Sequence, residues 1–113
     1  MDCIFCKIVD GSIACNHVYK DDKILAFADL NPQAPTHILI IPKLHIESIN
    51  YIENSHKDIV AQLFLTAKQI AANLNIAEDG YRLVVNTNLN GGQTVFHLHV
   101  HLLAGRHMTW PPG

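Results

Sequence analysis

No apolar run in this chain reaches the ~20 residues that a membrane-spanning helix needs, so a membrane is not expected as a partner. Basic clusters are missing too: Lys and Arg number 8 against 10 Asp and Glu, and they lie scattered. Without such a patch there is nothing to neutralise a phosphate backbone, and nucleic acid is not an expected partner. The opening residues, Met1-Asp2-Cys3, carry no basic segment followed by an apolar one, so no secretory signal is expected. Cysteine is sparse, at positions 3, 6 and 15. With no export signal, a disulfide scaffold is not expected and a cytoplasmic protein is. There is no internal repeat, low-complexity tract or linker, no Walker-type Gly-rich loop, and no carboxylate cluster suited to Mg²⁺. Charged residues are only 16% of the chain while apolar ones are 49%, which excludes disorder. A chain of 113 residues is expected to form one domain, residues 1–113.

The periodicities that are present divide the chain. Cys3 to Gly11 reads as a short helical turn stopped by Gly11. Val18–Lys20 and Lys23–Asp29 read as two short strands joined by Asp21-Asp22. Asn31 to Pro35 is a loop stiffened by Pro32 and Pro35. Thr36–Pro42 is apolar on both faces in its middle, hence a central strand ended by Pro42. Ser55 to about Asn75 carries apolar residues at three- and four-residue steps, an amphipathic helix, and Ser55 with Asp58 resembles a capping box. Gly80–Asn86 is another strand, followed by a Gly-rich loop, Asn88–Gln93. Strands grouped before and after one long helix predict an α+β fold with an antiparallel sheet, one of whose faces the helix covers.

The chain is organised around Thr94–Ala104, where His97, His99 and His101 alternate with Leu98 and Val100. Alternation at this period predicts a β-strand with the imidazoles in one row and Phe96, Leu98, Val100 and Leu102 on the buried face. At ~3.4 Å per residue, His97 and His101 stand roughly 13 Å apart. One metal ion, with bonds of ~2.0–2.1 Å to imidazole, is not expected to be shared by all three. The row therefore divides its tasks. A nucleophilic imidazole flanked by helpers suits it, because imidazole titrates near neutrality and has one nitrogen to attack and one to be held.

Several other residues offer chemistry. Asn90-Gly91-Gly92-Gln93-Thr94 places backbone N–H groups beside the row, and Gly lets a backbone approach an anion closely. An anion cradle beside a nucleophile points to phosphoryl or nucleotidyl transfer. Cys3-x-x-Cys6 allows three readings: two buried small hydrophobes, a redox dithiol, or half of a tetrahedral zinc site that His45 and His97 would complete. Asp29 is either a turn residue capping local N–H groups or an acceptor for vicinal sugar hydroxyls. Ile4, Phe5, Ile8, Phe27 and Leu30 are either core or the wall of a flat apolar slot for a base. His37 reads as a strand residue bonded to backbone, and His17, His56 and His107 as surface residues. Trp110, in a Trp-Pro-Pro-Gly tail too short to fold alone, must dock on this subunit or on a partner.

These motifs resemble those of the histidine triad (HIT) family, and within it the Hint branch of purine nucleoside phosphoramidases. His97-Leu98-His99-Val100-His101-Leu102-Leu103 is similar to that family's alternating triad. Gly105-Arg106-x-Met108-x-Trp110-Pro111-Pro112-Gly113, Asp29-x-x-Pro32-Gln33-Ala34-Pro35-Thr36-His37 and Ile41-Pro42-Lys43-x-His45 also match, so the likeness spans essentially the whole chain. The Trp-Pro-Pro-Gly ending separates the Hint branch from the dinucleoside-polyphosphate hydrolases, the alternative enzyme class. The resemblance implies a five-stranded antiparallel sheet per subunit, a homodimer, and cleavage of the P–N bond in AMP-amine conjugates through a nucleotidylated histidine. It implies His99 as nucleophile, with His101 and Thr94 contacting the phosphate and assisting the leaving group. His97 belongs to the same catalytic triad. Asn86, Gly92 and Gln93 would line the phosphate site, Asp29 would hold the ribose, and Ile4, Phe5, Ile8, Phe27 and Leu30 would surround the base. Trp110 would reach the partner's site, and Cys3, Cys6, His45 and His97 would hold zinc. Thr94 stands where some Hint members have Ser; its extra methyl stiffens the side chain. A purine-nucleotide-binding module whose role is partner contact is the reading from another class.

Overall fold

The computed structural model describes residues 2–113. Its order is α1 (Ile4–Val9), β1 (His17–Lys20), β2 (Ile24–Ala28), β3 (Thr36–Pro42), α2 (Lys57–Asn73), β4 (Tyr81–Val84), α3 (Asn88–Gly91) and β5 (Val100–Ala104). The strands form one five-stranded antiparallel sheet in the order β1-β2-β3-β5-β4. The fold is therefore α+β, and β5 is threaded between β3 and β4.

Residue parity along the strands explains the two layers. Ile24, Ala26, Ile38, Ile40, Val100 and Leu102 point to one face, where Leu63, Ala67, Ile70 and Ala71 of α2 cover them. Leu25, Phe27, Leu39 and Ile41 point to the other face and pack with Cys3, Phe5 and Ile8 at α1. Because β3 is covered on both sides, its sequence is an uninterrupted apolar run from Ile38 to Pro42. Each large side chain so buried contributes roughly 1.5–3 kcal/mol. The short helix α1 covers only part of its face, and the histidines occupy the remainder.

Four local expectations need correction. The histidine segment is strand only from Val100; residues 95–97 bend, and Leu98 N–H bonds the Ile46 carbonyl at 2.6 Å, outside the ladder. The bend takes Phe96 off the core face, where it is 50% exposed, while Leu98, Val100 and Leu102 keep their buried places. The start of α2 is not capped by Ser55 and Asp58. Glu53 and His56 bond each other's backbone N–H reciprocally around a 3₁₀ turn, Asn54–His56, and α2 begins at Lys57. The Gly-rich loop contains the four-residue helix α3, capped by Gly92 at φ +79°, a conformation Gly adopts without a Cβ penalty.

Candidate active site and metal centre

His97 leaves the histidine row. Its ring is fully buried, and its Nε2–H donates to the Pro42 carbonyl at 2.8 Å. A carbonyl can only accept, so the Nδ1 lone pair is left free. Burial pushes His97 down to about 4, which keeps that nitrogen unprotonated. Nδ1 lies 3.3 Å from Cys3 Sγ, 3.6 Å from Cys6 Sγ and 3.1 Å from His45 Nδ1. Cys6 Sγ lies 3.4 Å from His45 Nδ1, and all four donor atoms fall within 4.8 Å of one another. A zinc ion with two sulfur and two nitrogen ligands sets donor–donor edges of about 3.3–3.8 Å. The donors thus stand near tetrahedral spacing, on a histidine whose outer nitrogen is already anchored. Burial, then the adjacent Cys3, pushes the Cys6 thiol up to about 11, so a cation among these groups is what would draw off its proton. The residues present therefore fit a zinc ion. A redox dithiol would not need the two imidazoles that converge on it.

A second trio, Asp29, His37 and His101, also has its donor atoms within 4.8 Å. Its protons argue against a metal. The Gln33 N–H donates to His37 Nδ1 at 3.0 Å, so the proton of neutral His37 sits on Nε2. That atom faces His101 Nδ1 at 2.9 Å and Asp29 Oδ2 at 3.5 Å. A protonated nitrogen has no lone pair for an ion. Instead Nε2–H donates to His101 Nδ1, which places the His101 proton on its own Nε2. The Gln33 carbonyl is itself held by Arg106 Nε at 3.1 Å. His37 thus belongs to the site, where the sequence reading had it merely bonded to backbone.

His99 is buried, and its Nδ1–H donates to the His97 carbonyl at 2.6 Å. Its Nε2 therefore carries the lone pair. The His99 and His101 rings lie 4.9 Å apart. Burial lowers the pKa of His99, opposed by the His97 carbonyl and Asp29. Burial, with His99 and His37 close by, pushes His101 down to about 4, and burial lowers His37 against the pull of Asp29. At neutral pH the group is a set of uncharged imidazoles with assigned tautomers.

Beside it opens an apolar slot of about 280 Å³, walled by Ile4, Phe5, Ile8, Phe27 and Leu30, with Asp29 and Thr94 also lining it. Leu30 is 97% exposed, so it flanks the slot without packing on its own chain. Asp29 Oδ1 accepts from Asn31 N–H at 2.8 Å, so the turn role exists alongside its place in the slot. Ile13, Ala14, Cys15 and Asn16 line the slot as well; they precede β1 with no pattern that marks them.

The loop before the bend is braced more than expected. The Gln93 amide donates to the Glu47 and Val95 carbonyls at 2.8 and 3.1 Å and accepts from Asn88 N–H at 2.9 Å. Both of its side-chain hydrogens are spent, so it is a brace and not a free donor. The Gly92 and Gln93 N–H groups bond the Leu89 and Asn88 carbonyls, each at 3.0 Å, which removes them from any anion cradle. Thr94 is exposed, with a hydroxyl that has no partner among the described residues; Asn86 is half-buried. Trp110 is 81% exposed and does not dock on its own chain. His17 and His107 are at the surface, whereas His56 is half-buried in the turn before α2.

The HIT domain profile matches residues 10–108. The purine nucleoside phosphoramidase of Escherichia coli (strain K12) is 50% identical over 103 residues, 91% of this chain and 87% of that protein. A 14 kDa zinc-binding protein of Zea mays is 50% identical over 112 residues, covering 97% of this chain and 87% of its own length. The crystal structure of a HIT family hydrolase from Legionella pneumophila Philadelphia 1 superposes with a TM-score of 0.97 at 52% identity, over 99% of this chain and 100% of that one.

Proposed function

Because the chain belongs to the HIT domain family, we propose that it is a hydrolase of nucleoside 5′-phosphoramidates. It cleaves the P–N bond between a purine nucleotide such as AMP and an amine. The observation that carries this reading is the held state of His99: neutral, its Nδ1–H on the His97 carbonyl, its Nε2 lone pair free beside a slot that suits a base. In the proposed sequence the base enters that slot and Asp29 accepts from the ribose hydroxyls. His99 Nε2 attacks phosphorus, a P–N bond to the imidazole forms, and the bond to the amine breaks. The leaving nitrogen accepts a hydrogen bond from His101 Nε2–H and departs with a proton taken from solvent water, and Thr94 contacts the phosphate. Water then attacks phosphorus, gives up a proton to solvent, and releases the nucleotide and neutral His99.

His97 takes no proton-transfer role in this scheme, since both of its nitrogens are committed elsewhere. Cys3, Cys6, His45 and His97 would hold zinc, which supplies a structural cross-link there. The exposed Trp110 and the outer strand β4, with Tyr81 exposed, support a homodimer. Among the described residues no helix is long and apolar enough to cross a membrane. Free thiols at Cys3, Cys6 and Cys15 suit a reducing cytoplasm.

The test is single-turnover hydrolysis of an AMP-amine conjugate, quenched and read by mass spectrometry. The expected result is a nucleotidyl group on the peptide that carries His99, and no such adduct or turnover in His99→Ala. Turnover by His99→Ala near the parent rate refutes the scheme.

A further inference from the structure

The metal cluster and the base slot share one short element. Helix α1 is six residues long, and Cys3 and Cys6 lie at its start, with the Cys3 sulfur accepting the Cys6 N–H at 3.3 Å. Phe5 lies between these two cysteines in the sequence. Its ring meets His97 edge-on at 5.9 Å and His99 at 5.1 Å, and it packs on Phe27 across the slot floor at 5.5 Å. Phe5 therefore touches a metal-ligating imidazole, the nucleophile and the second aromatic wall of the slot together. The connection has a second strand: the His97 carbonyl holds His99 Nδ1, so the histidine whose ring faces the sulfurs also sets the tautomer of the nucleophile.

We infer that metal binding at Cys3, Cys6, His45 and His97 and nucleotide binding in the slot are thermodynamically coupled through Phe5, so that each ligand tightens the other. The inference rests on the two assignments proposed above, a zinc ion at the cluster and a purine nucleotide in the slot. Its physical basis is the size of α1. Such a short helix is marginal by itself and depends on tertiary anchors. Pinning both cysteines fixes the backbone on either side of Phe5, and a fixed Phe5 presents a ready wall to a base, so less ordering is needed when the nucleotide arrives. Reciprocity follows, because a coupling between two binding equilibria acts equally in both directions.

The experiment uses the zinc-loaded protein, the same protein stripped by a chelator, and AMP as the probe. Calorimetry gives the AMP affinity of each form. Equilibrium competition against a chelator of known affinity gives the zinc affinity with and without saturating AMP. The expected result is AMP binding about tenfold weaker in the stripped protein, and zinc held tighter by the same factor when AMP is present. Equal AMP affinity in a stripped protein that circular dichroism shows to be folded overturns the inference while leaving both assignments standing. Failure to take up zinc removes the metal assignment and the coupling with it, whereas a loaded protein that ignores AMP removes the nucleotide reading. If the stripped protein unfolds, Phe5→Leu decides: it keeps every ligand and an apolar wall but loses the ring contacts. Weaker zinc retention by Phe5→Leu in the absence of AMP supports the link, and parent-like retention overturns it.

Discussion

Replacing His37 tests the proton order of the site more sharply than replacing the nucleophile. His37 receives the Gln33 N–H at 3.0 Å and passes its own Nε2–H to His101 Nδ1 at 2.9 Å. In His37→Ala that donor disappears, and a partly buried acceptor on His101 is left without its partner. A neutral hydrogen bond of this kind is worth about 0.5–1.5 kcal/mol. At about 1.36 kcal/mol per factor of ten, kcat should fall roughly 2- to 13-fold. This is less than the loss of about 10²-fold or more expected when the donor to the leaving nitrogen is removed altogether, as in His101→Ala. The loss should appear in kcat with KM little changed, because His37 does not line the base slot. His37→Gln keeps an N–H₂ donor and should recover most of the rate. The assay is steady-state hydrolysis of an AMP-amine conjugate, on variants whose thermal midpoints show them folded. An unchanged kcat in His37→Ala, or a Gln variant as slow as the Ala variant, would refute the assigned tautomers.

Four further outcomes follow from the same geometry. His99→Ala should abolish turnover while circular dichroism stays native, because Leu98, Val100 and Leu102 still pack under α2. His37, His99 and His101 are all held below the ordinary histidine value. Activity should therefore stay level as pH falls through 6.5 and decline only when His99 is protonated at a lower pH; a midpoint at 6.5 contradicts this. Stability changes over the same range: below about 6.5 the unfolded chain binds protons that these folded histidines refuse, so the urea midpoint should drop as pH falls toward 4. Gly105→Ala should cost about 1–3 kcal/mol in urea titration. Its φ is +94° and the added Cβ would meet Pro35 Cβ at 2.8 Å; parent-like stability contradicts that.

Local patterns carried much of the fold. The apolar run 38–42, the helical stripe of α2 and the parity of Leu98, Val100 and Leu102 are each properties of neighbouring residues, and each reads directly. The division of the histidine row also followed from spacing alone. Contacts that depend on register were not legible in the same way. His37 meets His101 across 64 positions, because Leu39 pairs opposite His101 and puts His37 diagonally beside it. A shift of one residue would have sent that ring to the opposite face. Alternation likewise predicted a strand from Thr94. It could not reveal that the carbonyl of Pro42, the residue expected to end β3, takes the His97 ring. The bracing role of Gln93 was not legible because nothing in its neighbourhood announces the distant Glu47 carbonyl that takes its amide hydrogen.

The place of β5 in the sheet has a consequence for how the protein is made. It is the last of the strands to leave the ribosome, yet Thr36 pairs with Ala104 and Tyr81 with the same residue. Until it arrives, β3 and β4 each present an open edge, and the cysteines near the N-terminus wait for His97. Closure of the sheet is thus deferred until β5 has been synthesised, and the nascent polypeptide is most exposed to misassociation just before its reactive centre comes into being.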